Sequence, residues 1–162
     1  MRVGLGYDIH PLVEGRALVL GGVQLDHPSG LDGHSDADVL CHAITDALLG
    51  AAALGTIGEH FPPDDPQYEG ISSLELLAMA ANMVEEAGYV VRNVDSIVVA
   101  EAPRLQPHLA QMALNVADRL GVDHQMVGVK ATSPEGLGVL GRGEGIAAQA
   151  VVLLEPLAES EI

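Results

Sequence analysis

The chain has 162 residues, the length of one typical domain, and 48% of them are hydrophobic although only 2% are aromatic. Its formal net charge of -16, from 7 Lys and Arg against 23 Asp and Glu, argues against a nucleic-acid binder and against binding to anionic membranes. A single cysteine excludes an internal disulfide framework. We therefore predict one domain over residues 1–162, with a core made mainly of Val, Leu, Ile and Ala.

The same features bear on cellular location and assembly. The lone cysteine fits a reducing compartment, no apolar run reaches the length of a membrane span, and the N-terminus lacks the pattern of a signal peptide. We expect a cytoplasmic protein that binds neither nucleic acid nor membrane. Because charged residues make up only 19% of the chain, we also expect part of the apolar surface to be buried between subunits.

The N-terminal residues 1–6 are largely apolar and predict a strand. Side chains at i and i+2 of a strand point to the same face, so Asp8 and His10 are expected to lie side by side. Pro11 lacks a backbone N–H, which favours the end of the strand there. From this pattern alone, the pair could be two metal ligands, a base with its orienting acid, or an exposed pair without function.

The next segment predicts a hairpin followed by a loop. Short apolar runs at residues 17–20 and 23–25 flank Gly21-Gly22, which is a hairpin signal. Residues 30–35 are expected to form a loop.

A long helix is predicted over residues 36–54. Ser35 is expected to be its N-cap, with Asp38 completing a capping box. Residues 55–58 end the helix, and residues 59–70, which hold three Pro and four acids, predict a long irregular loop.

The rest of the chain alternates helices and strands. A second capping box at residues 72–75 opens a helix that Gly88 ends, and a third helix begins at Gln106 or Pro107 and ends at Gly121. The interleaved order predicts an α+β fold with a mixed sheet and helices packed on one face. The strands are predicted within residues 89–100, 127–132 and 146–154.

The long helix carries one polar stripe. Asp38, His42 and Asp46 fall at i, i+4 and i+8, on a helix whose other positions are apolar all round. Buried charges need compensation, so this stripe is expected to face a cavity, a metal or a polar partner; the alternative is a narrow solvated face. Cys41 points about 100° away from His42 and is expected in the core.

Asp8, His10 and His42 together supply three nitrogen and oxygen ligands. Three protein ligands with an open fourth position are the pattern of a catalytic zinc site. His34 and Ser35 precede the long helix, where a substrate anion would meet backbone N–H groups.

A second cluster lies in residues 130–145, where five Gly fall within ten residues. The spacing matches neither a P-loop nor a dinucleotide-binding element, but glycines let a backbone approach a ligand closely. Glu135 could hold a divalent cation on a phosphate, and Arg142 could clamp a phosphate. A plain glycine-rich hairpin is the alternative.

Six segments stand out in order along the chain: GYDIHPL, GGV, HSDADVLCHAITDALLGAAALGTIGEHFPPDDP, NVDSIVVAEAPRLQPH, VKATSPEGLG and GRGEGIA. Through these segments the chain resembles the 2-C-methyl-D-erythritol 2,4-cyclodiphosphate synthases of the non-mevalonate isoprenoid pathway. Long segments in the right order are far more specific than any single motif. The resemblance implies a homotrimer with active sites at subunit interfaces, whose central cavity holds an isoprenoid diphosphate in some relatives.

The resemblance implies an intramolecular phosphoryl transfer, the chemistry of a phosphorus–oxygen lyase. The 2-phosphate of 4-diphosphocytidyl-2-C-methyl-D-erythritol 2-phosphate attacks the β-phosphorus of its CDP group, CMP leaves, and a cyclic diphosphate forms. The implied cofactors are Zn²⁺ and a second ion, Mg²⁺ or Mn²⁺, that bridges the α- and β-phosphates.

The resemblance also implies residue roles. Glu135 would ligate the second ion, while His34 and Ser133 match positions that stabilise the transition state. Asp38 and Asp46 match acids near the site, and Asp46 is interpreted as an orienter of a metal ligand. The implied zinc ligands are Asp8, His10 and His42.

The implied substrate contacts form three groups. The cytidine and its phosphates would be bound by Ala100, Glu101, Ala102, Pro103, Arg104, Leu105, Gln106 and Thr132. The methylerythritol end would be bound by Thr56, Ile57, Gly58, Phe61, Pro62, Pro63, Asp64 and Asp65. The remaining contacts would come from Asp8, His10, His34, Ser35, Ser133, Pro134, Glu135, Val139 and Arg142.

Two positions depart from the family pattern. Thr56 stands where the family usually has Asp, so affinity for the erythritol part is expected to be weaker. Val139 stands where Phe is frequent, which leaves the nearby pocket less filled. Two alternatives to the cyclase stay open: a zinc phosphohydrolase that uses the same ligands to activate water, and a non-catalytic trimer that binds isoprenoid diphosphates.

Overall fold

The computed structural model describes residues 1–158, which form a mixed sheet, a small hairpin and helices. The strands are β1 (Arg2–Glu14), β2 (Leu18–Leu20), β3 (Val23–Leu25), β4 (Ser29–Leu31), β5 (Tyr89–Val99), β6 (Val127–Thr132) and β7 (Gly145–Pro156). The helices are α1 (Val39–Ala51), α2 (Ile57–His60), α3 (Ser73–Glu86), α4 (Leu109–Leu120) and α5 (Gly138–Gly141). Short 3₁₀ turns cover Pro66–Tyr68, Gln106–His108 and His124–Met126.

The main sheet has five strands in the order β4-β1-β7-β5-β6. β5 and β6 are parallel, whereas β7 is antiparallel to both of its neighbours, so the sheet is mixed. α1 packs against β1 and β7, α3 packs against α1 and β5, and α4 packs against α3 and β6. The predicted α+β fold with a mixed sheet and helices on one face is therefore confirmed.

The core is aliphatic, as the composition predicts. Burying such side chains contributes about 25 cal/mol for each Å² of apolar surface removed from water, which makes this core the main source of stability. Its largest fully buried side chains include Leu18, Leu20, Leu31, Leu40, Ile44, Leu48, Leu49, Leu77, Met112, Ile146 and Leu154. Cys41 is buried in this cluster, in agreement with its predicted core position.

The two faces of β1 have opposite characters because side chains alternate along a strand. Gly4, Gly6, Asp8 and His10 face α1. The odd-numbered residues point away from the helices, and Val3, Leu5, Tyr7 and Ile9 are 68%, 72%, 52% and 43% exposed. One strand thus presents an apolar, uncovered face and a second face that meets a helix.

Two glycines let α1 approach β1 at backbone distance. A Cβ atom at Gly4 would lie 1.9 Å from the Ala47 carbonyl oxygen, and one at Gly6 would lie 1.8 Å from the Ala43 carbonyl oxygen. No real Cβ atom tolerates such a distance, so only glycine fits at these two positions. This close approach brings His42 of α1 next to Asp8 and His10 of β1.

The prediction that Pro11 ends the first strand is wrong. β1 continues to Glu14, and Pro11 lies where the strand exchanges one partner for another: its last pair with β7 is Pro11–Gly145, and Leu12 pairs with Leu31 of β4. The missing N–H of Pro11 falls at this exchange, while its carbonyl accepts a hydrogen bond from the Asp32 N–H at 2.9 Å. For the same reason Gly30 and Leu31 are strand residues and not part of the predicted loop.

The predicted start of the long helix is also wrong. α1 begins at Val39, and its N-cap is Asp38, whose carboxylate accepts a hydrogen bond from the Cys41 N–H at 3.1 Å. Ala37 has a φ of 57°, which is incompatible with a helix that begins at residue 36. Ser35 instead accepts a hydrogen bond from the Ala37 N–H and stays outside the helix. The helix ends at Ala51, earlier than the predicted residue 54.

Asp38 also holds the predicted hairpin, which is confirmed. Gly21 and Gly22 connect β2 to β3 with φ values of 55° and 73°, both in the left-handed region that this turn requires. Their N–H groups donate to the Asp38 carboxylate at 2.9 and 2.8 Å. Because Asp38 is fully buried, the three backbone donors that it accepts are what compensates its charge.

The second half of the chain follows the prediction closely. α3, β5, α4, β6 and β7 lie within one to a few residues of their predicted limits, and Gly121 ends α4 in the left-handed region with a φ of 66°. The capping box at residues 72–75 is present only in sequence, since the Ser72 side chain makes no capping hydrogen bond. The predicted loop 59–70 contains the end of α2 and a 3₁₀ turn. Within residues 1–158, no helix is long and apolar enough to cross a membrane.

Candidate metal centre

Asp8, His10 and His42 come together beside the middle of β1, close to where its pairing with β7 ends. Their ligand atoms all lie within 4.8 Å of one another. Asp8 Oδ2 is 2.8 Å from His10 Nε2 and 3.0 Å from His42 Nδ1, and the two imidazole nitrogens are 3.2 Å apart. Asp8 and His10 therefore share one face of β1, as predicted, and α1 supplies the third group.

The outer nitrogens of both imidazoles have hydrogen-bond partners. His10 Nδ1 lies 2.7 Å from the Asp32 carbonyl oxygen, to which it donates, and this leaves the Nε2 lone pair directed at Asp8. His42 Nε2 faces the hydroxyls of Ser35 and Ser73 at 3.1 and 2.9 Å, which leaves Nδ1 directed at Asp8. One carboxylate and two imidazole lone pairs that converge in this way fit a divalent metal ion.

The electrostatics of the triad favour an ionised carboxylate. Burial of Asp8 opposes its ionisation, but hydrogen bonds and charge attraction from His10 and His42 outweigh burial and lower the pKa of Asp8 to about 2. Burial of His10 favours its neutral form, yet the Asp8 carboxylate reverses this effect and raises the pKa of His10 above its usual value. A metal ion must displace the proton of His10, so metal affinity is expected to fall as the pH falls.

The loop that contains His34 and Ser35 lies beside the triad. His34 Nε2 donates to the Asp65 carbonyl oxygen at 2.7 Å, which ties this loop to the segment 61–65. Arg16 donates to the carbonyl oxygens of Gly33 and Ser35 at 2.9 and 2.8 Å and so fixes the loop from the other side. A cavity of about 500 Å³ opens here, lined by Arg16, Ala17, Val19, Gly33, His34, Ser35, Asp36, Glu69 and Gly70.

Residues 56–58 are held by two carboxylates. Asp46 Oδ1 accepts a hydrogen bond from the Ile57 N–H at 2.7 Å, and Glu59 Oε2 accepts one from the Thr56 N–H at 2.9 Å. Phe61 is 6% exposed and packs edge-on against Tyr68.

These contacts change the interpretation of the polar stripe on α1. Asp38 binds backbone N–H groups of the hairpin, Asp46 binds a backbone N–H of residues 56–58, and only His42 belongs to the triad. The role of Asp46 as an orienter of a metal ligand, and the place of Asp38 beside it near the site, stay predictions, which these contacts do not support.

The second cluster lies at the ends of β5 and β6. Glu101 Oε2 accepts hydrogen bonds from Ser133 Oγ and the Gly136 N–H, both at 3.3 Å, and Ser133 Oγ accepts one from the Glu135 N–H at 3.0 Å. Glu135 and Arg142 are exposed, and Arg142 pairs with Glu144 at 3.0 Å.

The two clusters are far apart within one chain. Ile9, Ala147, Val99 and Thr132 lie at one level across β1, β7, β5 and β6. Three strand spacings of about 4.8 Å separate β1 from β6 by about 14 Å. Accordingly, the metal-binding group found within residues 1–158 contains Asp8, His10 and His42 but not Glu135.

Two residues near the triad were not predicted from the sequence. Ser73 is fully buried and hydrogen-bonds to both His42 and Asp36. Ser73 lies within the capping-box pattern of residues 72–75, so a Ser at this position did not suggest any other role. Asp36 gives no signal, because its predicted position inside a helix suggests a solvated acid.

Comparisons with known proteins agree with the geometry. Residues 1–155 match the model of the YgbB family. The 2-C-methyl-D-erythritol 2,4-cyclodiphosphate synthase of Syntrophomonas wolfei is 61% identical over 155 residues, covering 96% of this chain and 99% of the relative. A solved 2C-methyl-D-erythritol-2,4-cyclodiphosphate synthase in its CDP-bound form has a TM-score of 0.87 and 36% identity, covering 95% of this chain and 100% of the other.

A longer protein also contains this fold. The bifunctional IspDF from Campylobacter jejuni is matched with a TM-score of 0.93 and 43% identity. The match covers 96% of this chain but spans only 42% of the bifunctional chain. With a family match over nearly its whole length and a relative at 61% identity, the chain belongs to the YgbB family.

Proposed function

We propose that this protein converts 4-diphosphocytidyl-2-C-methyl-D-erythritol 2-phosphate to 2-C-methyl-D-erythritol 2,4-cyclodiphosphate with release of CMP, a step of isoprenoid biosynthesis. The convergence of Asp8, His10 and His42 on one point carries the proposal. The curated relative at 61% identity bears the name of this synthase. We further propose that the protein acts in the cytoplasm.

Zn²⁺ would be held by Asp8 Oδ2, His10 Nε2 and His42 Nδ1, the three atoms that already converge. When bound, zinc supplies a Lewis acid and a template for phosphate oxygens. The protein contributes the fixed orientation of the ligands, through the hydrogen bond from His10 to the Asp32 carbonyl and the packing of α1 on β1. Glu135 would hold the second ion, Mg²⁺ or Mn²⁺.

His34 and Ser133 would stabilise charge that develops on the phosphates during the transfer. His34 Nε2 is already bound to the Asp65 carbonyl, so the Nδ1 atom is the one left for substrate. Ser133 can donate its hydroxyl proton to a phosphate in place of Glu101. The two residues belong to different clusters, so the substrate must bridge both.

The substrate contacts implied by the family fit this division. Residues 61–65 contact the loop of His34 through Asp65, and they would bind the methylerythritol end together with residues 56–58, which precede them. Ala100 and Glu101 contact Thr132 and Ser133, and residues 100–106 with Thr132 would bind the cytidine. The CDP-bound relative supports a nucleotide site of this kind. Thr56 retains a hydroxyl that can bind a diol. Arg142 now pairs with Glu144, and it would leave this ion pair to bind the product phosphates.

We further propose that three copies assemble around the exposed face of β1. That face carries Val3, Leu5, Tyr7 and Ile9, and Val151 of the neighbouring β7 is 44% exposed. Together these side chains form a contiguous apolar surface, whose exposure to water is unfavourable. Within one chain, a separation of about 14 Å keeps the Ser133 cluster away from the metal triad. In a trimer, the Ser133 cluster of one subunit would instead meet the metal triad of the next. An isoprenoid diphosphate in the trimer core stays a prediction.

The proposed reaction can be tested by phosphorus NMR of the purified protein with its CDP substrate, Zn²⁺ and Mg²⁺. Stoichiometric CMP and a cyclic diphosphate are expected. CMP with an open-chain product would show that water reaches the phosphorus and would favour the phosphohydrolase. Tight binding of an isoprenoid diphosphate without CMP release would favour the non-catalytic trimer.

Replacing Glu135 with Gln is expected to raise the Mg²⁺ concentration needed for half-maximal activity by about tenfold or more. The amide keeps the shape of the carboxylate but removes its charge, and a charged contact contributes about 1.5–3 kcal/mol. A Mg²⁺ titration of the steady-state rate measures the effect, with Glu86→Gln on the exposed side of α3 as the matched control. An unchanged titration curve would remove Glu135 from the site.

A further inference from the structure

His42 has one ring nitrogen that faces the triad and one that faces away from it. Nδ1 lies 3.0 Å from Asp8 Oδ2, while Nε2 lies 2.9 Å from Ser73 Oγ and 3.1 Å from Ser35 Oγ. A neutral imidazole that offers one nitrogen to a metal carries its proton on the other. The proton of His42 must therefore sit on Nε2, where the two serine hydroxyls can accept it.

Ser73 is the better acceptor of the two. Ser73 Oγ donates its own proton to Asp36 Oδ1, because an ionised carboxylate can only accept. Its oxygen is therefore left to accept the His42 Nε2–H. Ser35 Oγ lies farther from Nε2 and already accepts the Ala37 N–H at 3.1 Å. A directed chain thus runs from His42 through Ser73 to Asp36.

The end of this chain is fixed by the backbone. Asp36 Oδ1 accepts a hydrogen bond from the Asp38 N–H at 3.1 Å, and the Asp36 N–H donates to the Ile71 carbonyl oxygen at 3.0 Å. Ser73 is the first residue of α3 and is fully buried, so its hydroxyl has no access to water as a substitute partner. Asp36 lies just before α1, and the chain therefore ties the starts of α1 and α3 to the metal triad.

We propose that Ser73 and Asp36 are positioning residues of the metal centre. They hold His42 in the tautomer and ring orientation that presents Nδ1 to a divalent cation, and neither residue touches the reacting atoms. Partners of this kind orient a metal-bound histidine and increase its basicity, and their loss weakens metal binding. The proposal rests on the proposed metal centre, and it assigns a function to two residues that the capping pattern conceals.

The test is the zinc affinity of the purified variants, measured by competition with a chromophoric chelator. Ser73→Ala is expected to raise the zinc dissociation constant about 10–100-fold, whereas Ser73→Thr, which keeps the hydroxyl, should stay close to the wild type. Asp36→Asn should fall between them, because a neutral amide accepts less strongly than a carboxylate. Ser72→Ala is the matched control, since Ser72 is the exposed neighbour whose side chain makes no capping bond.

A second readout reports on His42 itself. In zinc-loaded protein with ¹⁵N-labelled histidine, His42 should show a protonated Nε2 and an unprotonated Nδ1, and Ser73→Ala should broaden or shift these signals. Wild-type zinc affinity and wild-type His42 signals in Ser73→Ala would overturn the positioning role. A wild-type protein that binds no zinc would instead remove the metal centre, and the positioning role with it.

Discussion

Replacing His42 with Ala is expected to abolish zinc retention and cyclase turnover while the protein stays folded. The change removes one of three converging ligands, and the two that remain both come from β1. A catalytic metal contributes several kcal/mol to transition-state stabilisation, so turnover should fall at least about a thousandfold. Metal content after dialysis and the rate of CMP release measure the two effects.

The fold of this variant should be preserved because His42 is not part of the aliphatic core. Its side chain is 12% exposed and contacts polar groups, whereas the buried apolar residues of α1 include Val39, Ile44 and Leu48. Circular dichroism and sedimentation should match those of the wild type. His124→Ala, at a histidine whose side chain is 59% exposed, is the matched control and should keep full activity. A His42→Ala protein with stoichiometric zinc and a near-normal rate would contradict the ligand assignment.

Gly6→Ala is expected to reduce both stability and activity, although Gly6 touches no ligand. The new Cβ would lie 1.8 Å from the Ala43 carbonyl oxygen, and a backbone atom cannot rotate away as a side chain can. Overpacking of this kind costs about 3 kcal/mol or more, a large share of a total stability of about 5–15 kcal/mol. α1 can relieve the clash only by moving away from β1, which separates His42 from Asp8 and His10.

Urea unfolding and steady-state kinetics measure the two consequences of Gly6→Ala. A displacement of about 1 Å in a catalytic group can cost about a hundredfold in rate, so kcat/KM should fall by roughly that factor even where the variant is fully folded. Gly50→Ala is the matched control. A Cβ at Gly50 meets nothing within 4 Å, and this exposed residue lies in α1, so the change should stabilise the protein by about 0.5–1 kcal/mol. Equal urea midpoints for Gly6→Ala and Gly50→Ala would contradict the close packing of α1 on β1.

Local patterns in the sequence predict most of the fold. Periodicity and turn chemistry locate the hairpin at Gly21-Gly22, the helices α3 and α4, and the late strands, because each depends on neighbours in sequence. The failures involve long-range partners. β1 extends past Pro11 because it pairs there with β4 and because the Pro11 carbonyl accepts the Asp32 N–H. α1 starts at Val39 because the Asp38 carboxylate accepts hydrogen bonds from the backbone of the hairpin.

The candidate site divides along the same line. The i, i+2 pair Asp8 and His10 is readable because a strand fixes its geometry, and His42 stands out as a polar residue on an apolar helix. Ser73 could not be found, since its partner His42 lies 31 residues away and the interaction exists only after α3 docks on α1. The prediction that the stripe of Asp38, His42 and Asp46 faces a metal or polar partners is confirmed, but the sequence could not show that its three members meet three different partners.

The alternation of β1 has one further consequence. Because the side-chain period of a strand is two, a slip of one residue in the pairing of β1 with β7 would exchange its two faces. Val3, Leu5 and the other odd-numbered side chains would then collide with α1, while Asp8 and His10 would turn toward the proposed subunit contact. The register of β1 against β7 therefore determines how α1 packs, where the metal ligands lie and which surface is free for subunit contact. An insertion or deletion within residues 4–10 would disrupt all three of these properties together.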